Sequence, residues 1–196
     1  MNDMDSIAVA GDLALRVDQL HYWARRVEQS SGNPGEAELA GRMLQAATAD
    51  LEAFLTTLLD CFRPLDLTPT RMAVSDLMSA IAIRARGELG AASVTVSGES
   101  DRTVSVDVAQ FTRALSAILR RLDPFGAALH VAVAPATRGG RDGVEIAFRA
   151  DRELSRRGKS DLDWRLAGRI VALHAGALEE RARARGTTII LFLPAA

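Results

Sequence analysis

This sequence predicts an α+β protein in two parts. A helical hairpin that forms a dimeric four-helix bundle comes first, and a two-layer α/β sandwich follows. Three observations lead there. Apolar residues recur at helical spacing through roughly the first third of the chain. The pattern then changes to short alternating segments separated by turn residues, with helical stretches between them. Finally, of 196 residues 48% are hydrophobic and only 5% aromatic, an Ala/Leu/Val-rich mixture that supplies a core and favours helices.

The first helix covers 11–29. Leu13, Val17, Leu20, Ala24 and Val27 follow a 4-3-4-3 spacing, the seam of a helix packed on other helices. After SSG, the residues Asn33, Pro34 and Glu36 restart a helix: an N-cap, a proline at the first helical position and a glutamate two further on. The second helix runs to Phe62, with Leu39, Met43, Ala47, Leu51, Phe54, Leu58 and Phe62 expected along one side, and Pro64 stops it. Such a hairpin, 1–66, has two apolar stripes and too little to cover them. A second copy is the simplest cover.

In 67–196 a helix is expected over 74–87, then strands in SVTVSGE and TVSVD. Asp107 and Gln110 form a capping box for VAQFTRALSAILRRL, whose Phe111, Leu115, Ile118, Leu119 and Leu122 recur at helical spacing. Strands follow at 128–134 and 143–149, joined through the glycine-rich TRGGRDG. A helix over 161–175 leads to a small-residue turn, a charged hairpin and the final apolar strand TTIILFLP.

The net charge of −1 offers no global field for nucleic acid or an anionic membrane. The basic residues are nearly all arginine, spread along the chain as solvated faces and helix-end charges, which reads as composition bias rather than a site. The single cysteine, Cys61, excludes an internal disulfide and suits a reducing cytoplasm. Within LLDCFRP it reads as a small buried residue rather than a nucleophile. The first thirty or so residues carry no basic start followed by an apolar stretch, so no signal peptide is expected. No apolar run approaches the roughly 18 residues of a membrane span.

The segment Ile170-Val171-Ala172-Leu173-His174-Ala175-Gly176 resembles the "IVxLHGG" helix end of sensor histidine kinase cores. It is followed at the right distance by Arg185-Gly186-Thr187-Thr188 and a strand ending in Pro194. The helix at 111–122 resembles the asparagine-bearing helix of that family's ATPase domain, and LLDCFRPLDL resembles the end of its second hairpin helix and linker. The resemblance implies a dimerisation and phosphotransfer hairpin followed by an ATPase-like domain.

The nucleotide motifs of that family are worn away. Its Mg²⁺-holding and phosphate-holding side-chain amides fall at Ala117 and Arg121, neither of which ligates a hard cation. Its base-reading Asp with flanking glycines falls in FRADRELSRR, where Asp151 is present but Arg152 and Leu154 replace the glycines. Its phosphate-cradling glycine loop falls at Lys159-Ser160-Asp161-Leu162-Asp163-Trp164, where two carboxylates repel phosphate. The expectation is no ATP binding, no autokinase activity, and no resident cofactor or metal.

Some histidine phosphotransferases of this kind combine a kinase-like core with a degenerate ATPase domain, and relay phosphoryl groups through one histidine. Of three histidines, His174 is structural by resemblance and His130 alternates within a strand. His21 lies beside Leu20, off the apolar seam, where a neutral imidazole is a competent phosphoryl acceptor. Asp18 and Arg25 stand one turn either side, and Leu20, Tyr22 and Arg26 complete the surface expected to dock receiver domains of response regulators.

The match is imperfect. The family's acceptor usually precedes an acidic or polar residue and a proline, and HYWARR has neither acid nor proline there. Counted back from LLDCFR, His21 sits about five residues nearer the hairpin tip, a turn of roughly 500°, and Arg16 is nearer the matched position. Two readings follow: a cytoplasmic phosphorelay protein using His21, or a non-catalytic pseudokinase that regulates a receiver or kinase by occupancy. An ATP-dependent anti-sigma-type kinase on the same fold is disfavoured by the hairpin and the missing motifs.

Overall fold

A computed structural model describes residues 3–30, 32–89, 93–122, 128–150, 161–182 and 187–196. The chain separates into two units, Met1–Pro64 and Leu65–Ala196.

The first unit is an antiparallel pair of helices, α1 (Asp3–Gln29) and α2 (Pro34–Phe62). α1 starts earlier than its seam suggested. Asn33 caps α2 in extended conformation, its side-chain oxygen accepting from the Glu36 N–H at 3.3 Å, and Pro34 occupies the first turn, where its missing N–H costs nothing. The α1 seam residues Leu13, Val17, Leu20, Ala24 and Val27 are all half-buried against α2. On α2 the facing row is Ala40, Leu44, Ala47, Leu51, Phe54 and Leu58, of which Ala40 and Phe54 are fully buried. This corrects the expected stripe: Leu39, Met43 and Phe62 lie off that row and are exposed, as are Leu55 and Leu59. At about 100° per residue, the adjacent Leu39 and Ala40 belong to different faces, and one helix cannot turn both toward one partner.

The second unit is a sheet with helices on one face. Its elements are β1 (Thr70–Ala73), α3 (Val74–Leu89), β2 (Ser93–Ser97), β3 (Thr103–Val106), α4 (Val108–Leu122), β4 (Ala128–Arg138), β5 (Arg141–Ala150), α5 (Asp161–Leu173), β6 (Ala177–Ala182) and β7 (Thr187–Pro194). The main sheet runs β2-β4-β5-β7-β6, with β2 and β4 parallel and the other pairs antiparallel. β1 and β3 form a separate antiparallel ribbon, with Thr70 opposite Val106 and Ala73 opposite Thr103.

Alternation places the core. On β4, Leu129, Val131 and Val133 are buried while His130, Ala132 and Ala134 are exposed. The buried side meets Ile81 of α3, Ile118 and Leu119 of α4 and Ile170 of α5, all at most 1% exposed, as expected of a helix layer packed on one sheet face. β7 is buried on both sides. Its outward Phe192 is covered by Arg138, whose guanidinium carbon lies 5.9 Å from the ring centre and whose Nη2 is 2.8 Å from Glu179. The Arg181 hydrogen bond, with Arg138 beside it, holds the Glu179 carboxyl below the usual range.

Three further differences from the sequence reading have local causes. The β4–β5 turn contracts from the whole of TRGGRDG to Gly139-Gly140, both at positive φ (58° and 76°). The two-residue hairpin needs that geometry, and the flanking Thr137, Arg138, Arg141 and Asp142 are strand residues. The Asp107 cap is half a box: Oδ1 accepts from the Gln110 N–H at 2.9 Å, but the Gln110 side chain turns away to accept from Arg113. α5 ends at Leu173 rather than 175, in a Schellman turn. There the Gly176 N–H donates to Val171 and the Ala175 N–H to Ala172, with Ala175 at φ 55°.

Candidate functional site

Three places bear on function: the hairpin around His21, the α4–α5 contact around Arg121, and the α5 end at His174.

His21 is exposed on α1, with Asp18, Tyr22, Arg25 and Arg26 also exposed and Leu20 half-buried in the seam. The helix brings the six expected site residues into one stretch about two turns long. The Tyr22 ring stacks edge-on against Trp23, centroids 4.9 Å apart, which leaves an aromatic patch beside the imidazole. The position matched by distance, Arg16, is occupied differently. Its guanidinium lies over the Phe54 ring at 4.5 Å, its Nε is 3.0 Å from Asp50 Oδ2, and Nη1 donates to the Asp12 carbonyl. With its side chain 17% exposed, Arg16 is drawn into the hairpin and does not present a group to solvent.

In the second unit, α4 is joined to α5 and β6 by side-chain contacts. Arg121 Nε is 3.1 Å from Glu180 Oε2 on β6, and its guanidinium lies 5.7 Å from the Trp164 ring centre on α5. Arg120 donates to Asp163 at 3.4 Å, so the Asp163 carboxylate is balanced by a cation on α4. Ala117 is buried at 6% exposure. On α4 the Arg121 guanidinium is thus held between a carboxylate of β6 and an indole of α5. Asp151, Arg152, Leu154, Lys159 and Ser160 lie outside the described residues, as do Arg185 and Gly186, and nothing is described of the Asp161 side chain. Sequence reading identified Arg121 and Asp163 but not Glu180 or Trp164 as partners. The ion pairs of Arg121 and Arg120 span 59 and 43 positions, and no local pattern announces them.

His174 is 7% exposed and uses both ring nitrogens: Nδ1 lies 2.8 Å from the Ile170 carbonyl, and Nε2 accepts from the Asp107 N–H at 2.8 Å. The tautomer with its proton on Nδ1 satisfies both contacts. His174 thereby takes the role the capping box assigned to Gln110. Asp107 is a hub. Besides capping α4, its Oδ2 accepts from the Thr68 N–H at 2.8 Å and hydroxyl at 3.1 Å, tying down the segment that precedes β1. The Gln110 and Thr68 N–H bonds, outweighing the opposing effect of burial, lower the Asp107 carboxyl from its ordinary 3.8. His130 stands on the solvent face of β4, opposite Thr95 and Arg149. Cys61 is half-buried. Among the described residues no three His, Cys, Asp or Glu side chains gather as metal ligands, and no helix is long and apolar enough to cross a membrane.

Neither a family model nor a curated protein matches the chain by sequence. Solved structures do match by shape. A histidine kinase of Acinetobacter baumannii, AdeS, aligns with a TM-score of 0.69 at 10% identity, over 93% of this chain and 96% of that one. The ATP binding domain of PrrB from Mycobacterium tuberculosis aligns at 0.52 and 18% identity, over 65% of this chain and 98% of that one. The mycobacterial sensor histidine kinase MprB aligns at 0.50 and 19%, over 65% and 98%. At these identities the likeness concerns the fold, and the hairpin, the sheet order and the helix layer agree with it: the chain has the fold of a histidine kinase core, a helical hairpin followed by an ATPase-type α/β domain.

Proposed function

We propose that this chain is a cytoplasmic, dimeric phosphorelay protein that exchanges phosphoryl groups with receiver domains of response regulators through His21, without binding ATP. One observation carries the reading: within a histidine kinase core fold, the hairpin presents an exposed histidine while Arg121 of α4 is held between Glu180 and Trp164. In the forward step an imidazole nitrogen of His21 attacks the phosphorus of a receiver's aspartyl phosphate. The acyl P–O bond breaks, the N–P bond forms, and the receiver's aspartate leaves as carboxylate. Mg²⁺ for this step belongs to the receiver's acidic pocket. Asp18 and Arg25 flank the imidazole, and Leu20, Tyr22 and Arg26 supply the docking surface. The dimer would cover Leu39, Met43, Leu55, Leu59 and Phe62 of α2, large apolar side chains that the hairpin alone leaves at 38–59% exposure.

A second reading has its own support. Arg16 stands near the position matched to the family's acceptor, and its contacts with Phe54 and Asp50 bind it into the hairpin. That favours a pseudokinase acting by occupancy. Incubating the purified chain with radiolabelled phospho-receivers, wild type beside His21→Ala, separates the two. The relay predicts acid-labile, base-stable label on wild type and none on His21→Ala. Receivers that bind both proteins without transferring label support occupancy instead.

A further inference from the structure

A sizeable cleft lies within the α/β unit. It opens between α3 and the β2 side of the sheet, with a volume of about 550 Å³, within the range of small-molecule sites. Its floor is apolar: Val74, Met78 and Ala82 from α3, Val96 from β2 and Val133 from β4. Its rim is acidic and hydroxylic, with Glu99 and Asp101 on one wall and Ser75 and Ser79 on the other. No lysine, arginine or histidine is among its lining residues.

The acidic wall is built rather than loose. Gly98, at φ 82°, turns the chain out of β2 against the Val133 carbonyl, so closely that a Cβ there would collide with the carbonyl oxygen. The chain is then pinned at Arg102, whose carbonyl accepts from the Val74 N–H at 3.1 Å, whose Nη1 donates to the Gly143 carbonyl at 2.8 Å, and whose N–H donates to Ser100 Oγ at 3.3 Å. These bonds aim the Arg102 guanidinium at a backbone carbonyl, and Glu99 and Asp101 line the cleft without a cation among its lining residues.

We propose that this cleft binds a small organic cation with an apolar body, an alkyl or aryl ammonium. The floor would take the apolar part by excluding water, and Glu99 and Asp101 would take the charge, their attraction strengthened where the bound ligand displaces solvent. An anion is repelled by the same wall. A metal ion is disfavoured because two carboxylates over hydrocarbon provide too few oxygen donors for a hard cation. The site is independent of His21 and of the relay proposed above.

The test titrates the full chain with hexyltrimethylammonium, hexan-1-ol and hexanoate, three probes of one chain length and different charge, and follows the Met78 methyl resonance. The cation is expected to bind saturably, with the alcohol and the carboxylate at least about ten-fold weaker. The double substitution Glu99→Gln, Asp101→Asn is expected to remove that preference without changing the melting temperature, since both residues are exposed. Ser79→Trp, on the exposed rim, should block all three probes. Equal affinity for the three probes, an undiminished preference in the double variant, or no cation binding at about millimolar concentration would each overturn the proposal.

Discussion

The hairpin and the α/β unit are stabilised in different ways, and the difference indicates where each is incomplete. Of the hairpin's described apolar residues only Ala40 and Phe54 are fully buried, and its α1 seam is half-covered. The α/β unit buries Phe148, Ile81, Ile118, Leu129, Ile146, Ile189 and Leu191 completely. Two helices alone cannot enclose an interior, whereas a helix layer on a sheet can. The α/β unit also holds Arg121 of α4 between Glu180 and Trp164. The unit that is not self-sufficient carries the exposed histidine and the uncovered apolar surface, where a second copy and a partner would bind.

The sharpest way to break this contrast is to truncate one large side chain in each unit. Phe148→Ala removes a fully buried ring and should cost about 3–5 kcal/mol in chemical denaturation of the α/β unit. Leu59→Ala removes a half-exposed side chain and should cost under ~1 kcal/mol in the monomer. Its effect should appear instead as a weaker dimer by light scattering, more clearly as Leu59→Lys. A Leu59→Ala cost equal to that of Phe148→Ala would mean that the hairpin is closed by itself.

The histidines give a smaller version of the same contrast. His174→Ala leaves the buried Asp107 N–H without its partner, while the Ile170 carbonyl keeps the backbone N–H of residue 174, and should lower stability by about 1–3 kcal/mol. His21→Ala, on an exposed helix face, should stay within about 0.5 kcal/mol of wild type while losing phosphotransfer.

Acid should act on the α/β unit through Asp107. Its carboxyl is lowered in the folded chain by the Gln110 and Thr68 N–H bonds, so its contribution is complete above the ordinary value of 3.8 and is lost as pH falls through the lowered value. Asp107→Asn should flatten that acid limb of the melting temperature. An unchanged limb would assign it to other carboxylates.

The smallest effect has the opposite sign. Ala175 holds φ 55° at the position after α5 where glycine is at ease, so Ala175→Gly should stabilise by about 0.5–1 kcal/mol. A loss of stability there would mean that the alanine methyl is better packed than its exposure suggests.

Much of this architecture was legible from residues near one another in the chain. Asn33-Pro34, the Asp107 cap and the 4-3-4-3 seam are local signals, and their elements formed there, with α1 beginning earlier than its seam. What escaped was non-local. β1, Thr-Arg-Met-Ala, has too few residues to show alternation and exists as a strand because β3 pairs with it. β6 lies in what reads as a charged hairpin, without a strand of its own, and is a strand because β7 pairs with it. The α2 stripe departs from expectation because Leu39 and Ala40 are adjacent, and only the position of α1 decides which of them faces inward. Of the candidate site, the exposure of His21 was readable from its place off the seam. Arg121's engagement with Glu180 and Trp164 was not, because those residues meet only after the sheet has formed.

The most direct test offers one preparation of the wild-type chain two phosphoryl sources in parallel: γ-labelled ATP with Mg²⁺, and a labelled phospho-receiver without nucleotide. A hairpin that relays without ATP predicts label only from the receiver, mapped by peptide analysis to His21. Label arriving from ATP, or residing on another residue, would contradict it.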